Sequence, residues 1–278
     1  MVAPGRTTGG ASRAGRTRHA MTPSEQIIEL QAGKWKTRIL SAGEGNPVVF
    51  LHGEGGLLWD PLLDGLAQRY RVIAPQHPGS GASQGVEHLE DILDLVLYYC
   101  ELFDVLGLPQ AALVGHSFGG MIAAEIAAIN PERVARLVLM APMGLWLDDH
   151  PIPDISTITP SQLPGMLLAD PAGPMASMLA VPDPADPEAL LQASMAMASI
   201  LQFTWPFPEK GLRRRLYRVK ADTLLLWGRQ DHLVDPAYGQ AFLSAIAGAR
   251  LELIDGAGHL PQIEQADQVL SLVTDFVG

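Results

Sequence analysis

A single cysteine, Cys100, stands among the 278 residues. No intrachain disulfide can form, and within the apolar run 96–100 this thiol reads as a buried structural group. No apolar run approaches the roughly 20 residues of a membrane-spanning helix, so no membrane span is expected. Basic residues are scarce: 19 Lys and Arg stand against 30 Asp and Glu, a net charge of −11. That balance argues against nucleic acid as a partner. No His and Cys cluster has zinc spacing and no Asp-rich loop has calcium spacing, so no metal is expected. What is plentiful is apolar: 47% hydrophobic residues supply a full core for one α/β-sized domain and exclude disorder of the whole chain.

The first twenty residues differ from the rest. They carry Arg6, Arg13, Arg16 and Arg18, no acidic residue, and much Gly, Ser and Thr. They lack the apolar core of a signal peptide, so a cytoplasmic location is expected. Residues 1–20 are read as a disordered tail ahead of Met21.

From there short apolar runs alternate with helical periodicity. Residues 27–30 and 34–40 suggest an edge hairpin. Residues 48–51 form a run typical of a strand buried on both faces, followed by His52-Gly53-Glu54-Gly55-Gly56. Residues 61–70 and 89–106 have helical spacing. Residues 111–114 read as a strand and 121–128 as a helix, with Gly115-His116-Ser117-Phe118-Gly119 between them. After a further strand at 134–140 the pattern breaks. Residues 144–215 are rich in Pro, Met, Ala and Asp and hold an apolar helix near 190–203; they are read as an insert over a pocket. Arg213, Arg214 and Arg215 read as a solvated face near its hinge. Strands at 223–227 and 250–254 and helices at 236–246 and up to 276 complete the chain. Such alternation predicts a parallel sheet covered on both faces, with ligands at the carboxyl ends of its strands.

The Gly-x-Ser-x-Gly stretch sits in the strand–turn–helix context that makes it meaningful. The turn presents the Ser117 hydroxyl, and the Phe118 N–H at the helix start can face an oxyanion. The glycines of 53–56 let backbone N–H groups approach a ligand, while the dinucleotide and nucleoside-triphosphate patterns are absent from that loop. A serine nucleophile needs a base, and the base an orienting carboxylate. Asp231 and His259 each stand in a loop after a buried strand, in the order Ser, Asp, His; Asp235 and Asp255 are weaker alternatives. His52 and His77 read as anchoring groups, and His116 as unable to reach its neighbour's hydroxyl.

His52-Gly53, Gly115 to Gly119, Gly228-Arg229-Gln230-Asp231 and Gly258-His259 together resemble the α/β-hydrolase superfamily, from about residue 30 to the C-terminus. The resemblance implies a mostly parallel eight-stranded sheet with one antiparallel edge strand, helices on both faces and an inserted helical cap. The core is then 21–143 with 216–278, and the cap 144–215. It implies Ser117 as nucleophile, His259 as general base, Asp231 as its orienting partner, and an oxyanion hole from the N–H of Phe118 and of Glu54 or Gly55. It implies no cofactor. Close relatives place an Asp near Gln76-His77, where this chain departs.

A serine nucleophile selects acyl transfer. The methionine- and aromatic-rich cap, with few basic residues, favours neutral apolar substrates. A serine esterase acting on a small apolar acyl substrate through an acyl-enzyme is therefore the first expectation. A carbon–carbon bond hydrolase of ring-fission diketones is the alternative, and a non-catalytic scaffold a third, disfavoured because all three triad residues are present.

Overall fold

A computed structural model describes residues 21–179 and 185–278. The tail expected at 1–20, and Pro182 and Pro184 of the insert, lie outside the described residues. Eight strands form one sheet: β1 (Ser24–Leu30), β2 (Trp35–Ala42), β3 (Pro47–Leu51), β4 (Arg71–Pro75), β5 (Ala111–His116), β6 (Val134–Met140), β7 (Asp222–Gly228) and β8 (Arg250–Ile254). Their order is β1-β2-β4-β3-β5-β6-β7-β8. From β4 to β8 every neighbouring pair is parallel. The antiparallel strand is β2, which pairs antiparallel with both β1 and β4. It lies second from the edge rather than at the edge, because the N-terminal hairpin reverses once before the chain enters the parallel sheet.

The helices are α1 (Pro61–Leu66), α2 (Ile92–Val105), α3 (Phe118–Ile129), α4 (Leu163–Leu167), α5 (Pro187–Thr204), α6 (Ala237–Ala245), α7 (Pro261–Glu264) and α8 (Ala266–Val277). Alternation along the strands divides the interior in two. Val49, Leu51, Leu113, Leu137, Leu139 and Leu225 pack with α2, α3 and α6. Val48, Phe50, Ala112, Val114, Val138 and Leu224 pack on the other side with α1 and α8. Strands covered on both faces carry apolar residues at every position, which is why these runs are continuous.

The helical cap lies between β6 and β7 and contains α4 and α5. Phe203 of α5 stacks on Phe118, with ring centroids 6.2 Å apart, and Ser199 donates to the carbonyl of Gly79 at 3.1 Å. At its far end Arg215 forks onto the buried Glu125 of α3 at 2.6 and 2.9 Å. Arg213 and Arg214 are exposed, so the expectation of a solvated arginine face is corrected at Arg215 alone: helical spacing does not show that a carboxylate lies beneath it.

Helix α1 opens on Asp60, whose carboxylate accepts from the Leu63 N–H at 2.9 Å, with Pro61 in the first turn. Burial pushes the Asp60 carboxyl up to about 7, against the partial relief of the backbone N–H groups of Leu63 and Leu62. The folded state therefore holds this proton where the unfolded chain has released it. The resulting stability is complete below the unfolded pKa near 3.8 and is lost as pH rises through about 7. Asp60→Asn keeps a capping oxygen and does not titrate. Between pH 5 and pH 8 the parent's thermal midpoint should fall relative to that of the variant; parallel pH dependence of the two would contradict the assignment.

Candidate active site

Strand β5 ends at His116, and α3 begins at Phe118. Ser117 between them has φ 51° and ψ −114°, a conformation that costs a non-glycine residue about 1–3 kcal/mol. Three backbone bonds hold it there. Its N–H donates to Met140 at 2.9 Å, and its carbonyl accepts from Met121 at 3.0 Å and Met143 at 3.1 Å. The flanking glycines make the turn possible: a Cβ on Gly119 would lie 2.1 Å from the Leu51 carbonyl oxygen, and one on Gly115 would lie 2.5 Å from that of Gly119.

The parallel sheet brings the ends of β7 and β8 to the same edge. Ser117 Oγ lies 2.8 Å from His259 Nε2, and His259 Nδ1 lies 2.8 Å from Asp231 Oδ2. The other Asp231 oxygen accepts from the N–H of Leu233 and of Val234, both at 2.9 Å. Those bonds fix the carboxylate, which in turn fixes the imidazole. The alternatives are engaged elsewhere: Asp235 faces His150 at 3.2 Å, and Asp255 pairs with Arg229. Burial opposes a charge on His259, but the Asp231 carboxylate outweighs burial through charge and hydrogen bond. With Glu54 adding to the same side, the pKa of His259 ends above its ordinary value.

The neighbouring histidines are neutral struts. Burial takes His77 down to about 4. Burial and then the nearby His259 take His116 down to about 3. His52 Nδ1–H donates to the Gly53 carbonyl at 2.7 Å, and His52 Nε2 accepts from the His77 N–H at 3.1 Å. His77 Nε2–H donates to the His52 carbonyl at 2.7 Å, and its Nδ1 accepts from the Tyr99 hydroxyl. His116 reaches past its neighbour to donate from Nε2 to the His259 carbonyl at 2.7 Å. The loop after β3 is thus anchored from below and the His259 loop from beside Ser117. Gln76, where an acid was expected by resemblance, accepts from the Ala82 N–H at 3.1 Å.

The 53–56 turn closes with Gly56 N–H on the Gly53 carbonyl at 3.2 Å. It packs so tightly on the elbow that a Cβ on Gly53 would stand 2.7 Å from His116 Nδ1. The Phe118 N–H belongs to the first turn of α3, where amides have no partner within the helix. Glu54 and Gly55 border the cavity beside His259. The Glu54 side chain, unassigned by sequence reasoning, places Oε1 3.2 Å from Ser117 Oγ. Its one legible sign was an acid inside a glycine loop directly after a buried strand. Glu264, the last residue of α7, is a second residue without an assigned role in the sequence. Its carboxylate accepts from Gly258 at 2.6 Å and from Ala169 of the cap at 2.8 Å, tying the His259 loop to the end of α4.

A cavity of about 390 Å³ opens from Glu54 and His259 toward the cap. Its wall is aliphatic, with Ile155, Ile158, Leu163, Leu167, Ala196 and Met197. The expectation of an aromatic roof is corrected. Trp146 and Phe207 pack on each other and, with Trp205, line a separate hollow, while Phe203 packs on Phe118. Among the described residues no cluster of three or more His, Cys, Asp or Glu side chains is placed to hold a metal ion. None of the described helices is long and apolar enough to cross a membrane.

A capped parallel sheet with Ser, His and Asp converging at its carboxyl edge defines a serine-hydrolase architecture. The chain belongs to the alpha/beta hydrolase family, whose model matches residues 48–272. It is similar to 2-hydroxymuconate semialdehyde hydrolase of Pseudomonas sp. (strain CF600), 31% identical over 90% of this chain and 93% of that protein. It is likewise similar to 2-hydroxy-6-oxo-6-phenylhexa-2,4-dienoate hydrolase of Comamonas testosteroni, 31% identical over 91% and 94%. A solved meta-cleavage product hydrolase of Pseudomonas fluorescens IP01 superposes with a TM-score of 0.73, at 26% identity over 90% of this chain and 96% of that one.

These relatives are carbon–carbon bond hydrolases of ring-fission products, not ester hydrolases. The expectation of a serine esterase with a small apolar acyl substrate is corrected accordingly. The physical reason is that a serine triad attacks any sufficiently electrophilic carbonyl. Whether oxygen or carbon then leaves depends on the substrate, and neither the triad nor the apolar content of the cap encodes it.

Proposed function

We propose that this protein hydrolyses a carbon–carbon bond of a ring-fission diketone. Likeness over nine-tenths of the chain to hydrolases of such compounds supports the reading, and the Ser117–His259 contact of 2.8 Å beneath the cap carries its chemistry. His259 Nε2 accepts the Ser117 proton as Oγ adds to one carbonyl carbon. The oxyanion rests on the N–H of Phe118 and of Glu54 or Gly55. Collapse breaks the bond to the adjacent carbon, whose electron pair is held as an enolate by the second carbonyl, and the imidazolium returns the proton to that carbon. Water, losing a proton to His259, then releases the acyl group from Ser117 as a carboxylic acid. The sum is diketone plus water giving acid plus ketone. Asp231 orients His259 and stabilises its charged form. Residues 144–215 serve as the cap, and 21–143 with 216–278 as the core.

The test is kcat/KM for a panel of vinylogous diketones, differing in charge and in terminal group, beside a graded ester series. At least one diketone should be cleaved orders of magnitude faster than every ester. Turnover of esters alone would overturn the assignment.

A further inference from the structure

Glu54 differs from Glu264 and Glu125 in having no tie to the fold. Glu264 accepts from two backbone N–H groups, and Glu125 takes both arms of Arg215. Among the described residues the one hydrogen bond to the Glu54 side chain comes from Ser117 Oγ, at 3.2 Å. The turn that carries Glu54 is held by the Gly56 N–H on the Gly53 carbonyl at 3.2 Å and by the packing of Gly53 on His116. The place of Ser117 Oγ is therefore bracketed by two acceptors, Glu54 Oε1 at 3.2 Å and His259 Nε2 at 2.8 Å.

The two halves of an acyl-enzyme reaction bring different numbers of protons to that pair. The Ser117 hydroxyl has one. When Oγ attacks, that proton goes to His259 and Glu54 receives none. Once Ser117 is acylated, Oγ is an ester oxygen without a proton, and its bond to Glu54 is lost. The nucleophile that follows is water, which has two protons. Glu54 and His259 both line the cavity of about 390 Å³, so a water molecule in it can meet both. With one O–H on His259 Nε2 and the other on Glu54 Oε1, the lone pairs of the water oxygen are left for the acyl carbon.

We propose that Glu54 positions the hydrolytic water that releases the acyl group from Ser117, and that it is not an acceptor in the attack by Ser117 itself. The water proton facing His259 passes to Nε2 as the water oxygen bonds to the acyl carbon. The proton facing Glu54 stays on that oxygen. The bond from the acyl carbon to Oγ then breaks, and the imidazolium returns its proton to Oγ. Acyl-serine plus water gives carboxylic acid plus serine. The proposal rests on the acyl-enzyme of the reading above and not on which bond was broken to form it. Glu54 also favours a charge on His259, but the imidazolium forms in both halves of the reaction, so that effect is common to them.

The test sets water against a nucleophile with one proton. The full chain is acylated with p-nitrophenyl acetate in aqueous methanol, and the acetate and methyl acetate formed are measured by NMR. Methanol gives its one proton to His259 and has none for Glu54. Glu54→Met keeps the length of the side chain and removes the acceptor. Glu54→Gln keeps the shape and an acceptor without the charge, and holds the test open should Glu54→Met not fold.

The ratio of methyl acetate to acetate should rise about tenfold or more in Glu54→Met, the scale of one hydrogen bond to a charged group. In Glu54→Gln it should rise by less. The rise should come through slower release of acetate, with a larger burst of p-nitrophenolate. A structural role, or support of the imidazolium alone, lowers both products together and leaves the ratio where it was. A ratio unmoved in either folded variant would therefore overturn the proposal, even where turnover has dropped. If the ratio moves as expected while no diketone of the panel above is cleaved, the carbon–carbon reading fails and Glu54 keeps its role. If diketones are cleaved and the ratio does not move, the role of Glu54 fails and the reaction assignment stands.

Discussion

Ser117→Ala is expected to lower kcat by about 10⁴- to 10⁶-fold while the fold persists. The size follows from the way the site is built. Ser117 Oγ and His259 Nε2 lie 2.8 Å apart in a fully buried pair, and the second imidazole nitrogen is held by Asp231. Groups that act as one unit lose nearly all their effect when one is removed, so His259→Ala should cost about as much, and the double variant little more. Stability should respond differently. The methyl group of alanine leaves the backbone bonds to Met140, Met121 and Met143 in place, so the thermal midpoint should stay within a few degrees. Ser117→Gly should raise it, because glycine adopts φ 51° without the steric cost. Stopped-flow assays on the cleaved substrate and calorimetry on the same samples decide this. Retained turnover in folded Ser117→Ala would remove Ser117 from the mechanism.

Arg215→Ala should cost about 3–5 kcal/mol of stability, more than any surface ion pair in the molecule. Glu125 has no exposed surface, and Arg215 satisfies both of its oxygens at 2.6 and 2.9 Å. Burial raises the Glu125 pKa, and the hydrogen bond and charge of Arg215 counter it. Truncating the arginine leaves the carboxylate buried without its partner. Glu125→Gln in the Arg215→Ala background should recover a large part of the loss, because no uncompensated charge then remains. Urea denaturation of the parent, the single variant and the double variant tests the claim. A loss below about 1 kcal/mol for Arg215→Ala would mean that water already screens the pair.

The sequence made the sheet legible because buried parallel strands leave continuous apolar runs, and the seven expected strand runs, two in the hairpin and five from Val48 onward, lie within observed strands or overlap them. The tight turn at Ser117 was equally legible, since Gly115 and Gly119 are imposed by contacts too close for any side chain. Three features were hidden for a common reason: each depends on residues far apart in the chain. Glu125 and Arg215 are separated by 90 positions and Ser117 and Glu54 by 63, so no local periodicity relates them. The turning of Trp146, Trp205 and Phe207 away from the cavity beside His259 depends on how the proline-rich cap folds back, which composition does not determine. The expected ester chemistry failed on different ground. Few basic residues in the cap say something about the charge of a substrate and nothing about which of its bonds breaks.

Product analysis in ¹⁸O-labelled water tests the central claim most directly. A vinylogous diketone incubated with the enzyme should yield a carboxylic acid carrying one solvent oxygen and a ketone carrying a new C–H bond at the cleaved carbon, with neither formed by Ser117→Ala. A diketone recovered intact under conditions where simple esters are hydrolysed would contradict carbon–carbon bond hydrolysis.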